Sequence, residues 1–322
     1  MNFINNTKCS FNVKQTTLKN KIFFSGVGIH NGKAVSMSIE PSKPNTGIIF
    51  IRTDIINNNI IKAVIDNVDK TSLCTKIKNQ HGISVSTIEH LMAAFNGLNI
   101  DNVKVKINAP EVPALDGSSN DYIKKIVNSG IEIQNINRKC VKILRNVSVT
   151  EKHRYVSITP SDKLTLKISI NYPNTIIGNS ELLYNHSQNN FIKQLSQART
   201  FTLIEDVEKM RLSGYAMGGN MNNAIVVDKY NVLNPNGLRV DDEFVKHKAL
   251  DCIGDFYLLG MPLIGSVNSK APGHRLNQNF IREILSNKRN YSIEDLQLQN
   301  PPDQYINSLR NNIFSQDEIN VA

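Results

Sequence analysis

The sequence has no tryptophan, only four cysteines, and no apolar run of bilayer length. Its longest nearly apolar stretch, Phe256 to Val267, is interrupted by Gly260, Pro262 and Gly265. A membrane-spanning helix needs about 20 apolar residues, so no integral membrane segment is expected. Met1 to Lys21 contains no apolar core of the kind a secretory leader requires. Cys9, Cys74, Cys140 and Cys252 show neither C-x-x-C pairing nor a disulfide-framework spacing. That argues against a cysteine-built zinc site and for a reducing compartment, the cytoplasm by default. Runs of one charge are also missing. The net charge is +9, but the basic residues are scattered and not interleaved with aromatics. Nucleic-acid binding is therefore not expected, while an anionic substrate or surface would suit the excess. What remains is a folded globular chain, 20% charged and 40% hydrophobic, with room in 322 residues for two domains.

Both halves read as strands followed by helices, with no internal sequence repeat. Leu18 to Glu40 reads as two strands joined through Gly26-Val27-Gly28 and Asn31-Gly32, and Val35, Met37 and Ile39 alternate as in a half-buried strand. No helix follows those glycines, so a phosphate-binding loop is rejected, and His30 is assigned to the turn. Gly47–Arg52 and Asn102–Ile107 are further strands. Thr71–Ile77 is expected to be extended. At Ser84–Phe95 the period changes from 2 to 3.6, which starts a helix. A second helix begins near Asn120 behind the turn Asp116-Gly117-Ser118-Ser119 and stops at Gly130. Glu132 to Lys139 is polar and aperiodic, and the domain boundary is placed there, giving 1–138 and 139–322. The second half brings strands at 141–143, 147–149, 155–158 and 164–170, then helices at Phe191–Gln197 and Glu205–Ser213. A strand follows at Ala224–Val227, a helix near Phe244–Asp255, a strand at Pro262–Val267 and an amphipathic helix at Asn277–Ser286. Beyond Asn287 the chain reads as a loosely held tail.

The chemistry concentrates on Phe244–Asp255. At 3.6 residues per turn, His247, Asp251 and Asp255 share one helix face. An imidazole and a carboxylate at i and i+4 present two ligands to one ion, but an ordinary surface pair has the same spacing. A third ligand must come from elsewhere. Glu89 and His90 open another helix. Ser86 and Glu89 fit a capping box, and a glutamate beside a metal ligand also fits the general base of a metal hydrolase.

Seven segments then occur in register: Ser-Gly-Val-Gly-Ile-His (25–30), Pro-Asn-Thr-Gly-Ile (44–48), Ser-Thr-Ile-Glu-His-Leu-Met-Ala-Ala (86–94), Asn-Ala-Pro-Glu-Val-Pro (108–113), Ala-Arg-Thr-Phe (198–201), Asp-Glu-Phe-Val-Lys-His-Lys-Ala-Leu-Asp (242–251) and Gly-His-Arg-Leu-Asn (273–277). From about Thr17 to the last helix, this set resembles the bacterial UDP-3-O-acyl-N-acetylglucosamine deacetylase family, zinc amidases at the committed step of lipid A synthesis. The resemblance implies an α+β fold of two domains, each a small, mostly antiparallel sheet layered against helices, with the active site between them. It implies one Zn2+ per chain on His90, His247 and Asp251, with a fourth position open to water; Fe2+ suits the same N/O donors. By the same likeness Glu89 is the general base. His274, oriented by Asp255, is the charged acid, and Thr200 is a donor to the oxyanion. Lys248 and Phe201 would contact substrate, while Val207, Ala216, Met221, Ala224 and Val226 would line a passage for the acyl chain. The implied partner is a UDP-linked acylated glucosamine, and a monomer is expected.

One departure stands out: Lys270-Ala271-Pro272-Gly273-His274 displaces the family's lysine by one position, which leaves a substrate role for Lys270 open. Two other functions compete. One is a zinc amidase or peptidase with the same centre and another substrate. The other is a nucleotide-sugar-binding protein with a closed structural zinc, for which Cys74 could be the extra ligand.

Overall fold

The computed structural model describes residues 11–70 and 73–298. Its frame is a pair of five-stranded sheets. The first contains β1 (Ile22–Val27), β2 (Ala34–Pro41), β3 (Ile48–Arg52), β4 (Ile60–Lys62) and β5 (Val103–Ile107). The second contains β6 (Val147–Glu151), β7 (Arg154–Thr159), β8 (Thr165–Tyr172), β9 (Gly178–Asn185) and β10 (Ser266–Lys270). Their spatial orders are β1-β2-β5-β3-β4 and β6-β7-β10-β8-β9, the same connectivity twice. In each sheet the last strand enters the centre, antiparallel to the second strand and parallel to the third. The expected α+β architecture is therefore present, as an internal structural repeat that no sequence repeat announces.

Alternation determines which side of each sheet is covered. Val35, Met37 and Ile39 of β2, Val103, Val105 and Ile107 of β5, and Leu166, Ile168 and Ile170 of β8 are all buried. The helices that cover them are α1 (Glu89–Gly97) and α2 (Asn120–Ser129) in the first half, with α4 (Glu243–Phe256) and α5 (His274–Ser286) in the second, where α3 (Ile204–Leu212) lies apart with no residue buried. Helices α1 and α4 occupy equivalent places, each just ahead of its sheet's central strand, and they pack on one another. Gly254 permits that approach, since a Cβ there would lie 2.0 Å from the Glu89 carbonyl oxygen. Asn96 of α1 donates its amide to the Ile253 carbonyl of α4 at 2.9 Å.

Several expectations need correction. Glu132–Lys139 is not aperiodic coil: Ile131–Asn137 is a strand paired with Lys14–Leu18. It presents no buried apolar face, because only Gln134 is buried while Ile133 and Ile136 are exposed. β9 went unrecognised for the same reason, since Leu183 is 71% exposed and Tyr184 is the one buried position. The stretch after Asn287 is not simply a tail, because Tyr291–Asp295 pairs antiparallel with Lys139–Ile143. Pro301-Pro302 and the rest of 299–322 lie outside the described residues, as do positions 71–72 of the expected extended segment. Pro262–Val267 is two strands, Leu263–Ile264 and β10, rather than one. Phe191–Leu195 is a π-helical turn, and α5 starts at His274, three residues earlier than its amphipathic pattern suggested.

Candidate active site and metal centre

The paired helices bring His90, His247 and Asp251 together. One ligating atom from each lies within 4.8 Å of the others, and all three residues are buried. His247 Nε2 is 3.3 Å, and His90 Nε2 3.6 Å, from Asp251 Oδ1. The imidazoles meet edge to face with centroids 4.9 Å apart. His247 Nδ1 lies 3.0 Å from the Ala198 carbonyl, which can only accept, so Nδ1 carries the proton and Nε2 keeps its lone pair. Asp251 Oδ1 is buried without a hydrogen-bond partner. An orphaned carboxylate oxygen facing two imidazole nitrogens fits a cation. Burial pushes the His247 ring down to about 3, so it is neutral, as a metal ligand must be. Burial alone would raise the Asp251 carboxyl, but its neighbours, the Lys248 ammonium among them, hold it well below the usual range. Among the described residues this group has three members, and Cys74 is not one of them. Burial and the nearby Glu89 push the Cys74 thiol up to about 12, away from the thiolate that metals bind.

Glu89 lies beside this group. The capping-box expectation fails here: Ile88 is the residue before the helix and offers no side-chain cap, while the Ser86 hydroxyl bonds the Pro110 carbonyl. Glu89 is 3% exposed, and its carboxylate accepts the Thr75 N–H at 2.9 Å. Burial raises its pKa, partly offset by His274 and His90. His274 Nε2 lies 3.8 Å from Glu89 Oε1, and His274 Nδ1 is 2.9 Å from Asp255 Oδ2. Burial alone would lower the His274 pKa, but Asp255 and Glu89 outweigh it and hold the imidazolium up to about 10. Asp255 is itself fully buried, taking bonds from the Thr75 hydroxyl and the Asn277 amide. Thr75 thus ties the two carboxylates together, and nothing in its sequence context marks it out. Asn277 does fall within a quoted motif, one turn beyond His274.

A cavity of about 870 Å³ opens from this cluster. Glu89, His90, His247, Asp251 and His274 line its polar end; Asp255 stands behind His274, outside the lining. Thr200 and Phe201 form the next wall. They are held there by Glu243 in the first turn of α4, whose carboxylate takes the Arg199 guanidinium at 2.8 Å and the Arg199 N–H at 3.0 Å. Val207, Ala216, Met221, Ala224 and Val226 line the same cavity. Lys248 is no free surface lysine: its side chain is 19% exposed, its ammonium is 3.0 Å from Asp251 Oδ2, and it lies over the Phe201 ring. Lys270 is exposed at the end of β10 and outside the cavity lining, whereas Pro272 is within it. The cavity also receives Arg154, Tyr215 and His30. His30 does sit in a turn, as expected, yet its ring faces the cavity, and its Nδ1 is buried without a partner.

Comparison with known proteins identifies the family. A family model for UDP-3-O-acyl N-acetylglycosamine deacetylase matches residues 15–286. The chain belongs to that family. The UDP-3-O-acyl-N-acetylglucosamine deacetylase of Hahella chejuensis is 42% identical over 278 residues, which cover 86% of this chain and 92% of that one. The namesake in Pasteurella multocida is 40% identical over 278 residues, 86% and 91% of the two chains. That of Campylobacter hominis is 38% identical over 287 residues, 89% and 97%. All seven segments quoted above fall inside the stretch that matches the deacetylase family model. Among the described residues, no helix is long and apolar enough to cross a membrane.

Proposed function

We propose that this chain hydrolyses the 2-acetamido group of a UDP-linked, 3-O-acylated glucosamine to the free amine and acetate, the committed step of lipid A synthesis. The observation that carries this reading is one cavity lined by a candidate three-ligand metal group, a buried glutamate, a charged histidine and several apolar side chains. His90, His247 and Asp251 would hold Zn2+, and the same donors accept Fe2+. When bound, the ion supplies a Lewis acid that polarises the amide carbonyl and acidifies water. Glu89 takes the proton of the attacking water through Oε1, while the Thr75 N–H holds Oε2. His274 keeps Nδ1 on Asp255, so Nε2 is free to donate, first to the developing oxyanion and then to the leaving nitrogen. The Thr200 hydroxyl assists at the oxyanion. Lys248 and Phe201 orient the substrate, and the acyl chain runs past Val207, Ala216, Met221 and Val226. The protein acts as a cytoplasmic monomer divided into domains at 138/139.

The test is amine release from UDP-3-O-acyl-N-acetylglucosamine by metal-reconstituted protein, beside Glu89→Gln and His90→Ala. Wild type should turn over. Glu89→Gln should lose about 10²–10⁴-fold in kcat with its metal retained, the usual scale for a general base. His90→Ala should lose the metal itself. Turnover that needs neither the nucleotide nor the acyl chain would favour an amidase for another substrate. Full metal content without turnover would favour the binding protein, a rival that the three-membered metal group already disfavours.

A further inference from the structure

Glu111, in the Pro-Glu-Val-Pro loop, is 1% exposed, and the mechanism above gives it no task. Among the described residues its carboxylate is held by three hydrogen-bond donors and not by a cation. Oε1 accepts the His30 N–H and the Thr87 hydroxyl, each at 2.9 Å, and Oε2 accepts the Asn31 N–H at 2.9 Å. The loop before Glu89 is pinned beside it as well, because the Ser86 N–H donates to the Pro110 carbonyl at 2.9 Å.

Thr87 has φ +58°, the left-handed region that a β-branched residue rarely occupies. It stands two residues ahead of Glu89, so its backbone sets the direction in which α1 begins. On the other side of Glu111, the turn it holds presents His30 to the cavity. The same turn receives a neighbouring loop: the N–H groups of Met217 and Gly218 donate to the carbonyls of His30 and Ile29, each at 3.0 Å. One carboxylate therefore ties together two pieces of cavity wall that are remote in sequence, and through the turn it also reaches the loop that carries Ala216 and Gly219.

We propose that Glu111 is a positioning residue that fixes the Glu89–His90 helix start against the His30 turn, acting through the strained backbone of Thr87. The proposal rests on the deacetylase reading. A glutamine cannot replace the carboxylate cleanly: its NH2 must face either the His30 or the Asn31 N–H, setting donor against donor.

The experiment compares wild type, Glu111→Gln, Thr87→Ala and Thr87→Gly, each loaded with metal, for kcat, KM, metal content and Tm. We expect kcat in Glu111→Gln to fall about 10–100-fold, the scale of a misplacement near 1 Å, with KM changed by less than about 3-fold and metal retained. The Thr87 pair decides the matter even if Glu111→Gln folds poorly. Both lose the hydroxyl, but only glycine adopts a positive φ without strain, so Thr87→Gly should keep about 5-fold more kcat than Thr87→Ala. Equal kcat in that pair, or Glu111→Gln within about 2-fold of wild type, would overturn the proposal. Inactive wild type would instead remove the deacetylase reading beneath it.

Discussion

Helices α1 and α3 are both nine residues long and both border the cavity, yet they are built in opposite ways. Every residue of α1 is buried, including Glu89, His90 and Asn96. None of α3 is buried, and its Leu212 is 84% exposed. The helix carrying the proposed base and one metal ligand is thus clamped between a sheet and α4. Val207 of the proposed acyl passage sits on a helix with almost no apolar anchorage. Segments with few buried contacts open at low free energy cost, so the two walls of one cavity differ in rigidity. Positioned chemistry needs the first kind of support, and admitting a long apolar chain tolerates the second.

A matched pair of substitutions tests this contrast most directly. Leu91→Ala in α1 removes a fully buried side chain and should cost about 2–5 kcal/mol. Leu212→Ala in α3 should stay within about 0.5 kcal/mol, and chemical denaturation of both variants measures the gap. Similar losses would show that α3 is held more firmly than its exposure implies. Next in size is Gly254→Ala. Its methyl would collide with the Glu89 carbonyl oxygen, forcing α1 away from α4 at a cost of about 1–3 kcal/mol. Because the displaced strip carries Glu89, kcat should fall as well as Tm. A fall in Tm alone would mean that the site tolerates the shift.

The smallest effect concerns pH. His274 must be protonated to donate, and its pKa is raised, so activity persists below the folded value and is lost as pH rises through about 10. Asp255→Asn removes the largest influence raising it, so the alkaline limb of kcat should move to lower pH. A bound cation repels the imidazolium and lowers both limbs, so wild type and variant should be compared at equal metal loading. An unmoved limb would assign it to another group.

The site was more legible in the sequence than the sheets around it. His247, Asp251 and Asp255 are related by helical geometry alone, and their stripe survives intact. Glu89 and His90 were visible as neighbours, but the Ser86 spacing offered a local partner that the fold does not use. What joins them to the rest is remote: Thr75, between Glu89 and Asp255, has no periodic or chemical signature. The strands Ile131–Asn137, β9 and Tyr291–Asp295 bury almost none of their side chains, apolar ones such as Ile133, Leu183 and Ile293 included, so their backbone pairing leaves no trace in a hydrophobic pattern. The duplicated topology escaped notice because it lies in strand order, which no residue identity records.

That shared strand order also governs how the protein is made. In each sheet the last strand to be synthesised is the one in the middle. The first sheet can close once Ile107 has left the ribosome. The second exists as two separate hairpins, β6-β7 and β8-β9, until Ser266–Lys270 emerges. Throughout that interval the inner edges of β7 and β8 are unpaired, a state in which nascent chains are prone to mispairing. By then Asp251 has already emerged, so the three proposed metal ligands are all synthesised before the sheet behind α4 can form, and the set is complete while that sheet still awaits its central strand.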